Sequence, residues 1–308
     1  MSESVKTQDG TVSEASFTGG KVRTDQSKKE RRIFIILFLA LPLLHLLIFS
    51  YVPIIGNFIV SFTNWKGFGE MKFIGLRNYQ KLFSNTEYIS MFKNCLWYLL
   101  AAIPQLIFAF FLAVIINGKF RGLNIFKGIL ILPYLLNGVI VSTIFIIFFQ
   151  NNGSLNAILE ALGLTSLQHK WLQDLKIVNP AIASISIWRY YGMNFIMFFG
   201  ALQTIPTELY EAAVIDGCTK MQEIRYISVP FIKKVLFINI ILSISGSIQV
   251  FEIPYIMLNG SNGTLTPVIQ IQQSMYDNRV GFAAALSVLV FFIVMVVIGL
   301  QKLLVKED

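Results

Sequence analysis

Residues 33–62 read IFIILFLALPLLHLLIFSYVPIIGNFIVSF and contain no Asp, Glu, Lys or Arg. An α-helix rises about 1.5 Å per residue, so about twenty apolar residues cross the roughly 30 Å hydrocarbon layer of a bilayer. This run is longer than one crossing needs, and Pro42 and Pro53 within it predict a kink or an extension beyond the bilayer. The stretch therefore predicts a membrane-spanning helix.

The same pattern recurs along the rest of the chain. Five further apolar stretches of suitable length cover residues 95–116, 128–149, 182–202, 235–257 and 282–300. The composition agrees, because 55% hydrophobic residues and 27 Phe against 17 acidic residues exceed what the core of a water-soluble fold could hide. The sequence therefore predicts an all-α, polytopic membrane protein with six transmembrane helices and both termini on one side.

The distribution of basic residues predicts the orientation. The net charge of +8 comes from short clusters between the apolar runs, which favours membrane orientation over nucleic-acid binding. Basic residues precede the first span, occupy the second and fourth connections and follow the last span, which predicts cytoplasmic N- and C-termini. The first outer loop is also basic and opposes this assignment: it carries Lys66, Lys72, Arg77, Lys81 and Lys93.

The two ends of the chain are polar. Residues 1–32 are rich in Ser, Thr, Lys and Gly and show no apolar periodicity, which predicts a disordered cytoplasmic tail. This tail is too long and polar for the start of a signal peptide, so the first apolar run is expected to remain as an anchor. Residues 33–304 are expected to form the transmembrane domain, and residues 305–308 its cytoplasmic end.

Neither a metal site nor a disulfide is indicated by the sequence. Cys95 is expected at the outer face and Cys218 in a cytoplasmic loop, so no bond between them is predicted. With only His45 and His169 present, no cluster of His, Cys and acidic residues has metal-ligand spacing, and we expect no metal and no cofactor.

The connection between the fourth and fifth spans, residues 203–230, reads QTIPTELYEAAVIDGCTKMQEIRYISVP. Pro206 suits a first helical turn, and Gly217 suits the left-handed end of that helix. Thr219 with Gln222 has the spacing of a capping box for a second short helix. The plain interpretation of such a segment is a well-capped connector with a solvated face.

Its residue types favour a more specific interpretation. Glu211-Ala-Ala, then Gly217 after three residues, then Ile227-x-x-Pro230 after nine, resembles the signature of binding-protein-dependent ABC importer permeases. Val229 stands where that family usually has Leu, and Cys218 where it usually has Ala. Pro230 also marks the expected entry to the fifth span.

The resemblance implies a type I ABC importer permease fold in which the two short helices dock into a cleft of the ATPase. The residues that it assigns to this ATPase-coupling surface are Glu211, Ala212, Ala213, Asp216 and Gly217. The chain has no Walker motif, since Gly118-Lys119 lacks the upstream Gly, and no catalytic triad is supported. It is therefore expected to be a non-catalytic subunit whose energy comes from a separate ATPase.

Further stretches extend the resemblance to nearly the whole chain from residue 33. They look most like the first permease type of the maltose and glycerol-phosphate systems, and they include residues 51–53, 61–65, 73–79, 132–134, 187–188, 202–206 and 249–252. One departure is residues 259–264, NGSNGT, where the group usually has a Gly-Gly-Gly-Pro run.

The resemblance to these sugar-importer permeases also implies the setting of the chain. The expected substrate is a sugar, an oligosaccharide by preference, delivered by an extracytoplasmic binding protein. The other expected partners are a second permease and two ATPase subunits, in a bacterial-type cytoplasmic membrane.

Polar residues inside the spans mark helix contacts or the substrate path, because they are costly in hydrocarbon. The candidates for the path are Asn137, Trp188, Arg189, Tyr190, Tyr191, Asn194, Gln249 and Glu252. Arg189 is expected in the outer half of its span, where it could instead extend to the lipid headgroups. For Asn137, Gln249 and Glu252 the alternative role is hydrogen bonding between helices.

Other functions stay open from the residues alone. A secondary transporter or channel would call for inverted repeats or intramembrane acidic relays, and the spans hold little acid apart from Glu252. A membrane scaffold or sensor would use residues 203–230 for another partner. Among importers, a polyol phosphate or a monosaccharide remains an alternative solute.

Overall fold

The computed structural model describes residues 22–116 and 122–304. Helices with short connections and loops make up these residues, and the described ranges contain no β-strand beyond an isolated bridge between Thr63 and Phe73. The chain divides into two units, Met1–Gly56 and Asn57–Asp308. The predicted all-α class is confirmed.

The first unit is a long helix. α1 (Val22–Leu46) continues through a π-helical turn, Leu47–Tyr51, into α2 (Val52–Val60), which carries the chain into the second unit. Residues 22–32 are thus helical, unlike the disordered tail that their polar composition predicts. Their Lys, Arg, Glu and Gln side chains are good helix formers, and an existing apolar helix extends at little cost. The rest of the predicted tail, residues 1–21, and the end, residues 305–308, lie outside the described residues.

The second unit contains helices of very different length. In chain order they are α3 (Arg77–Ser84), α4 (Thr86–Ile115), α5 (Leu123–Leu135), α6 (Gly138–Phe149), α7 (Ser154–Ala161), α8 (Val178–Leu202), α9 (Thr207–Ile215), α10 (Lys220–Glu223), α11 (Val229–Ile248), α12 (Glu252–Leu258), α13 (Pro267–Tyr276) and α14 (Val280–Leu304). α8 lies at the centre and packs against α4, α5 and α11, while α12 packs on α6 and α13 on α14.

By length and composition, the described residues hold four helices that could cross a membrane: Glu30–Val60, Thr86–Ile115, Lys220–Leu258 and Val280–Leu303. A fifth candidate is the pair α5 and α6, bent by 88° at its break. α8 is 25 residues long but is not among the candidates, because polar residues such as Arg189 interrupt its apolar sequence. The count of six spans stays a prediction.

Two of the predicted spans are broken helices. Residues 128–149 do not form one helix, because Leu136 is extended and Asn137 starts α6 by accepting a hydrogen bond from the Val139 amide at 2.8 Å. Residues 235–257 are interrupted between the end of α11 and the start of α12, where Phe251 has φ −141°. Each break carries polar residues, Asn137 at the first and Gln249 with Glu252 at the second, but the surrounding apolar residues keep the hydropathy of each stretch high enough for a membrane span.

Close backbone approach holds the central helices together. A Cβ on Gly192 of α8 would lie 1.7 Å from the Leu130 carbonyl oxygen of α5, so only glycine permits this contact. Towards the end of α8, the fully buried rings of Phe195 and Phe198 pack in a core with Phe110 of α4 and Ile232 of α11. α8 is thereby fixed against its neighbours, and its polar residues keep defined positions.

Candidate functional site

The connection between α8 and α11, residues 203–228, forms a bent pair of short helices, here called the elbow, with a capping motif on each side of the bend. α9 ends at Ile215, and Gly217 follows with φ +73°. The Gly217 and Cys218 amides donate to the Val214 and Ala213 carbonyls at 3.1 and 2.9 Å, which is the Schellman pattern. Both hydrogen bonds of the predicted capping box between Thr219 and Gln222 are present. The predicted left-handed glycine and capping box are confirmed.

The second helix of the elbow differs from the prediction. α10 does not end before the fifth span but passes through a π-helical turn, Ile224–Ser228, directly into α11. Pro230 lies in the first turn of α11 and does not separate the two. A wide π turn accommodates the proline ring and its missing amide donor, so the helix continues without a break.

Four of the five residues assigned to the coupling surface are exposed: Glu211, Ala212, Asp216 and Gly217. Ala213 is not, since it is only 6% exposed and faces the interior of the protein. The exposed apolar side chains of the elbow were not among the predicted site residues, and they are Leu209, Val214, Ile215, Met221 and Tyr226. Apolar residues in a loop that is otherwise polar are the signal that would have identified them.

Arg189 and Glu252 form an ion pair at the two helix breaks. The Arg189 Nη1 donates to the Glu252 carboxylate at 2.8 Å, and its Nη2 donates to the Leu136 carbonyl at 3.4 Å. The carboxylate lies against Gly138, where a Cβ would come within 2.2 Å of its three terminal atoms. α8 thus holds the start of α6 and the start of α12 through one guanidinium group.

These residues border a cavity of about 610 Å³. Its walls come from α4, α8, α11 and the break before α12, with Tyr134 of α5. Five of the predicted path residues line it: Arg189, Tyr190, Asn194, Gln249 and Glu252. Together with hydroxyl and amide groups from α4 and α11, they give the cavity a mixed polar and aromatic surface.

Four hydrogen-bonding atoms of the cavity walls are buried without a partner among the described residues. They are the Tyr98 hydroxyl, the Arg189 Nε, the Asn194 Nδ2 and the Ser245 hydroxyl. All four can donate a hydrogen bond. A buried donor without an acceptor is costly, but each of these atoms has almost no accessible surface, so a ligand in the cavity reaches them only after a small movement of the wall.

The other three predicted path residues do not line the cavity. Asn137 caps α6, Trp188 packs its ring on Phe145 with centroids 5.4 Å apart, and Tyr191 packs with the core around Phe195. Consecutive residues of α8 point in different directions, so a cluster in sequence could not all face one cavity.

Other lining residues lie outside the predicted set. Among them are Tyr98, Gln105, Ser186 and Ser247. Gln105 is a polar residue in the middle of an apolar span, a signal of the same kind as the one that identified Asn194.

The chain is similar to known proteins along most of its length. The model of the family described as "Binding-protein-dependent transport system inner membrane component" matches residues 95–307. The chain is 35% identical to the arabinooligosaccharides transport system permease protein AraP of Bacillus subtilis, covering 85% of each chain. It is 29% identical to the trehalose/maltose transport system permease protein MalF of Thermococcus litoralis, covering 83% of this chain and 88% of that one.

A solved structure supports the same fold. The chain resembles a subunit in the crystal structure of a bacterial alginate ABC transporter in complex with an alginate pentasaccharide-bound periplasmic protein, with a TM-score of 0.78 at 23% identity. The match covers 91% of this chain and 96% of that one. The elbow, the central α8 and the match over residues 95–307 lead to one conclusion: this chain belongs to the family of binding-protein-dependent transport system inner membrane components.

Proposed function

We propose that this chain is the permease subunit of an ATP-driven importer, and that it moves a saccharide, an oligosaccharide by preference, delivered by an extracytoplasmic binding protein. The observation that carries this proposal is the cavity of about 610 Å³ with its mixed polar and aromatic lining. The relatives support the substrate class, since their names refer to arabinooligosaccharides, trehalose and maltose.

The cavity suits the chemistry of a sugar. Saccharide hydroxyls donate and accept hydrogen bonds, and the cavity is lined by amide and hydroxyl residues such as Gln105, Ser247 and Gln249 that can pair with them. The rings of Tyr134, Tyr190 and Phe251 provide apolar faces on which the C–H faces of a sugar ring can pack. A polyol phosphate, the alternative solute, would need a free cation, whereas the Arg189 guanidinium is already bonded to Glu252.

The elbow around Gly217 is proposed as the contact with the ATPase. Its exposed acidic groups, Glu211 and Asp216, suit basic groups of a partner, and the exposed Val214 and Ile215 suit an apolar cleft. The proposed assembly contains a second permease, two ATPase subunits and the binding protein, with both termini of this chain in the cytoplasm. A self-contained transporter or channel has no use for such a surface.

Reconstitution tests the proposal. Proteoliposomes that contain this chain and its partner subunits, with ATP inside and loaded binding protein outside, should accumulate a labelled oligosaccharide. Tyr98→Phe removes one donor without changing shape and should reduce uptake by roughly three- to tenfold, the effect of one hydrogen bond. Tyr88→Phe is the matched control, because Tyr88 packs in a separate core around Phe282. Uptake by this chain alone, driven by an ion gradient without the ATPase, would favour the secondary-transporter alternative.

A further inference from the structure

We propose that Glu252 sets the charge selectivity of the cavity: it neutralises Arg189, so that the path accepts uncharged saccharides and disfavours acidic ones. This inference rests on the proposed function, and it narrows the substrate to one chemical class. It concerns a role of Glu252 distinct from holding helices together.

The first support is the charge of the walls. Among the described residues that line the cavity, Arg189 and Glu252 are the only two with a charge, and they are bonded to each other at 2.8 Å. The remaining polar groups there are neutral hydroxyls and amides. The lining contributed by this chain therefore has no net charge, and a substrate anion finds no free cation on it.

The second support is which partner faces the cavity. The Arg189 side chain is 11% exposed, whereas the Glu252 side chain is 45% exposed. The guanidinium is also bonded to the Leu136 carbonyl, so little of it is open to a ligand. An acidic saccharide that enters the cavity therefore meets a carboxylate first, and like charges at close range repel.

The third support is the position of Gly138, which fixes the carboxylate. A Cβ on this residue would lie 1.9 Å from the Glu252 Cδ and 2.1 and 2.2 Å from its two oxygens. Those atoms are the far end of a flexible side chain, so Gly138→Ala should displace the carboxylate and leave the helix in place. Gly138 does not line the cavity, so this change should move the Glu252 carboxylate away from Arg189 and leave the other wall residues unaltered.

The test compares two probes that share the same open-chain end and differ in charge: the aldonate of a trisaccharide and its neutral aldonamide. Binding of each to the assembled transporter in lipid nanodiscs, without binding protein, is measured by saturation-transfer NMR, which detects weak binding. Leaving out the binding protein matters because its own specificity would otherwise decide which sugar arrives. The measured quantity is the ratio of the two dissociation constants.

Wild type should prefer the neutral sugar. Glu252→Gln keeps the shape but frees the Arg189 charge, and should shift the ratio towards the aldonate by about tenfold or more, as expected for a newly available charged hydrogen bond. Gly138→Ala should shift it in the same direction, and high salt should weaken both shifts. The double change Arg189→Gln with Glu252→Gln should return the ratio to the wild-type range.

The outcomes separate this inference from the proposed function. If wild type binds neither sugar, the cavity is not a saccharide path and both proposals fail. If wild type binds the neutral sugar and neither Glu252→Gln nor Gly138→Ala moves the ratio, the ion pair is only a tie between helices and the inference alone is wrong. The thermal unfolding midpoint of each variant is measured in the same nanodiscs. A lower midpoint with an unchanged ratio of dissociation constants would show that the ion pair only stabilises the helix packing.

Discussion

Replacing Gly217 by Val tests whether the elbow couples the chain to an ATPase. Gly217 has φ +73°, in the left-handed region that a residue with a Cβ enters at a cost of about 1 to 2 kcal/mol. No atom lies within 4 Å of a Cβ built at this position, so the penalty is one of backbone strain and not of collision. A change of 1 to 2 kcal/mol alters a conformational equilibrium about 5- to 30-fold, so the native turn should be less favoured by that factor in Gly217→Val.

The strain is expected to act on the elbow alone. The Schellman bonds of Gly217 and Cys218 hold the end of α9, and their loss would tilt the exposed surface that contains Glu211 and Ile215. α9 contributes no residue to the cavity around Asn194, so the residues of the cavity wall should keep their structure. Gly217→Val should therefore insert into the membrane normally but retain the ATPase poorly and show little stimulation of ATP hydrolysis by loaded binding protein.

Co-purification of the ATPase and stimulated ATP hydrolysis are measured on the same preparation. Gly217→Asn is the matched control, because Asn tolerates the left-handed region and should lose much less than Val. If Gly217→Val retained the ATPase and its stimulation at the wild-type level, the elbow would be an ordinary connector and its assignment to coupling would be wrong.

Three further changes test other parts of the structure. Gly192→Ala should lower the thermal unfolding midpoint of the complex, because its Cβ meets a backbone carbonyl of α5, whereas Gly200→Ala on the same helix has open space and should have no such effect. Arg189→Ala and Glu252→Ala should each reduce uptake and preserve assembly, since each leaves one charge of the pair unpaired, and normal uptake in both would remove the pair from the path. The exposed Cys218 should react with a membrane-impermeant maleimide only after right-side-out vesicles are opened, and labelling of sealed vesicles would reverse the predicted orientation.

The elbow was predictable because its signals are local. A glycine that ends a helix and a Thr with Gln three positions later each act within one helical turn, and the structure shows both features at Gly217 and Thr219. The direction in which side chains point could not be predicted from such local signals. That Ala213 faces inward while Val214 and Ile215 face outward depends on how α9 rests on its neighbours, which no short motif encodes.

The helix breaks show where hydropathy fails. Residues 128–149 are apolar on both sides of the 88° bend, so hydropathy averaged over the stretch does not show the bend. The local signal was Asn137 followed by Gly138, a capping residue and a residue without a side chain. The sequence analysis gave Asn137 a role in the substrate path or in hydrogen bonding between helices, and gave Gly138 no role. Position 138 has no room for a side chain because the Glu252 carboxylate, more than one hundred residues away in the chain, lies against it.

The cavity was predicted in part. Asn194, Gln249 and Glu252 were identified because a polar residue in an apolar span needs a reason, and all three line the cavity. Tyr98 was missed because a Tyr in an apolar helix looks like any packed aromatic residue until its hydroxyl is seen without a partner. Trp188 and Tyr191 were chosen for their proximity in sequence, and the helical rotation between neighbours turns them elsewhere.

The uninterrupted helix from Lys220 to Ile248 has a mechanical consequence. At about 1.5 Å per residue this helix is roughly 40 Å long. Its N-terminal end lies in the elbow, and Ser245 of the cavity wall lies near its C-terminal end. If this helix tilted by about 5° at its N-terminal end, its C-terminal end would move sideways by roughly 3.5 Å, more than the length of a hydrogen bond. If the elbow couples the chain to the ATPase, a small movement of the ATPase would tilt this helix and displace the part of the cavity wall on α11 far enough to break its hydrogen bonds to a sugar.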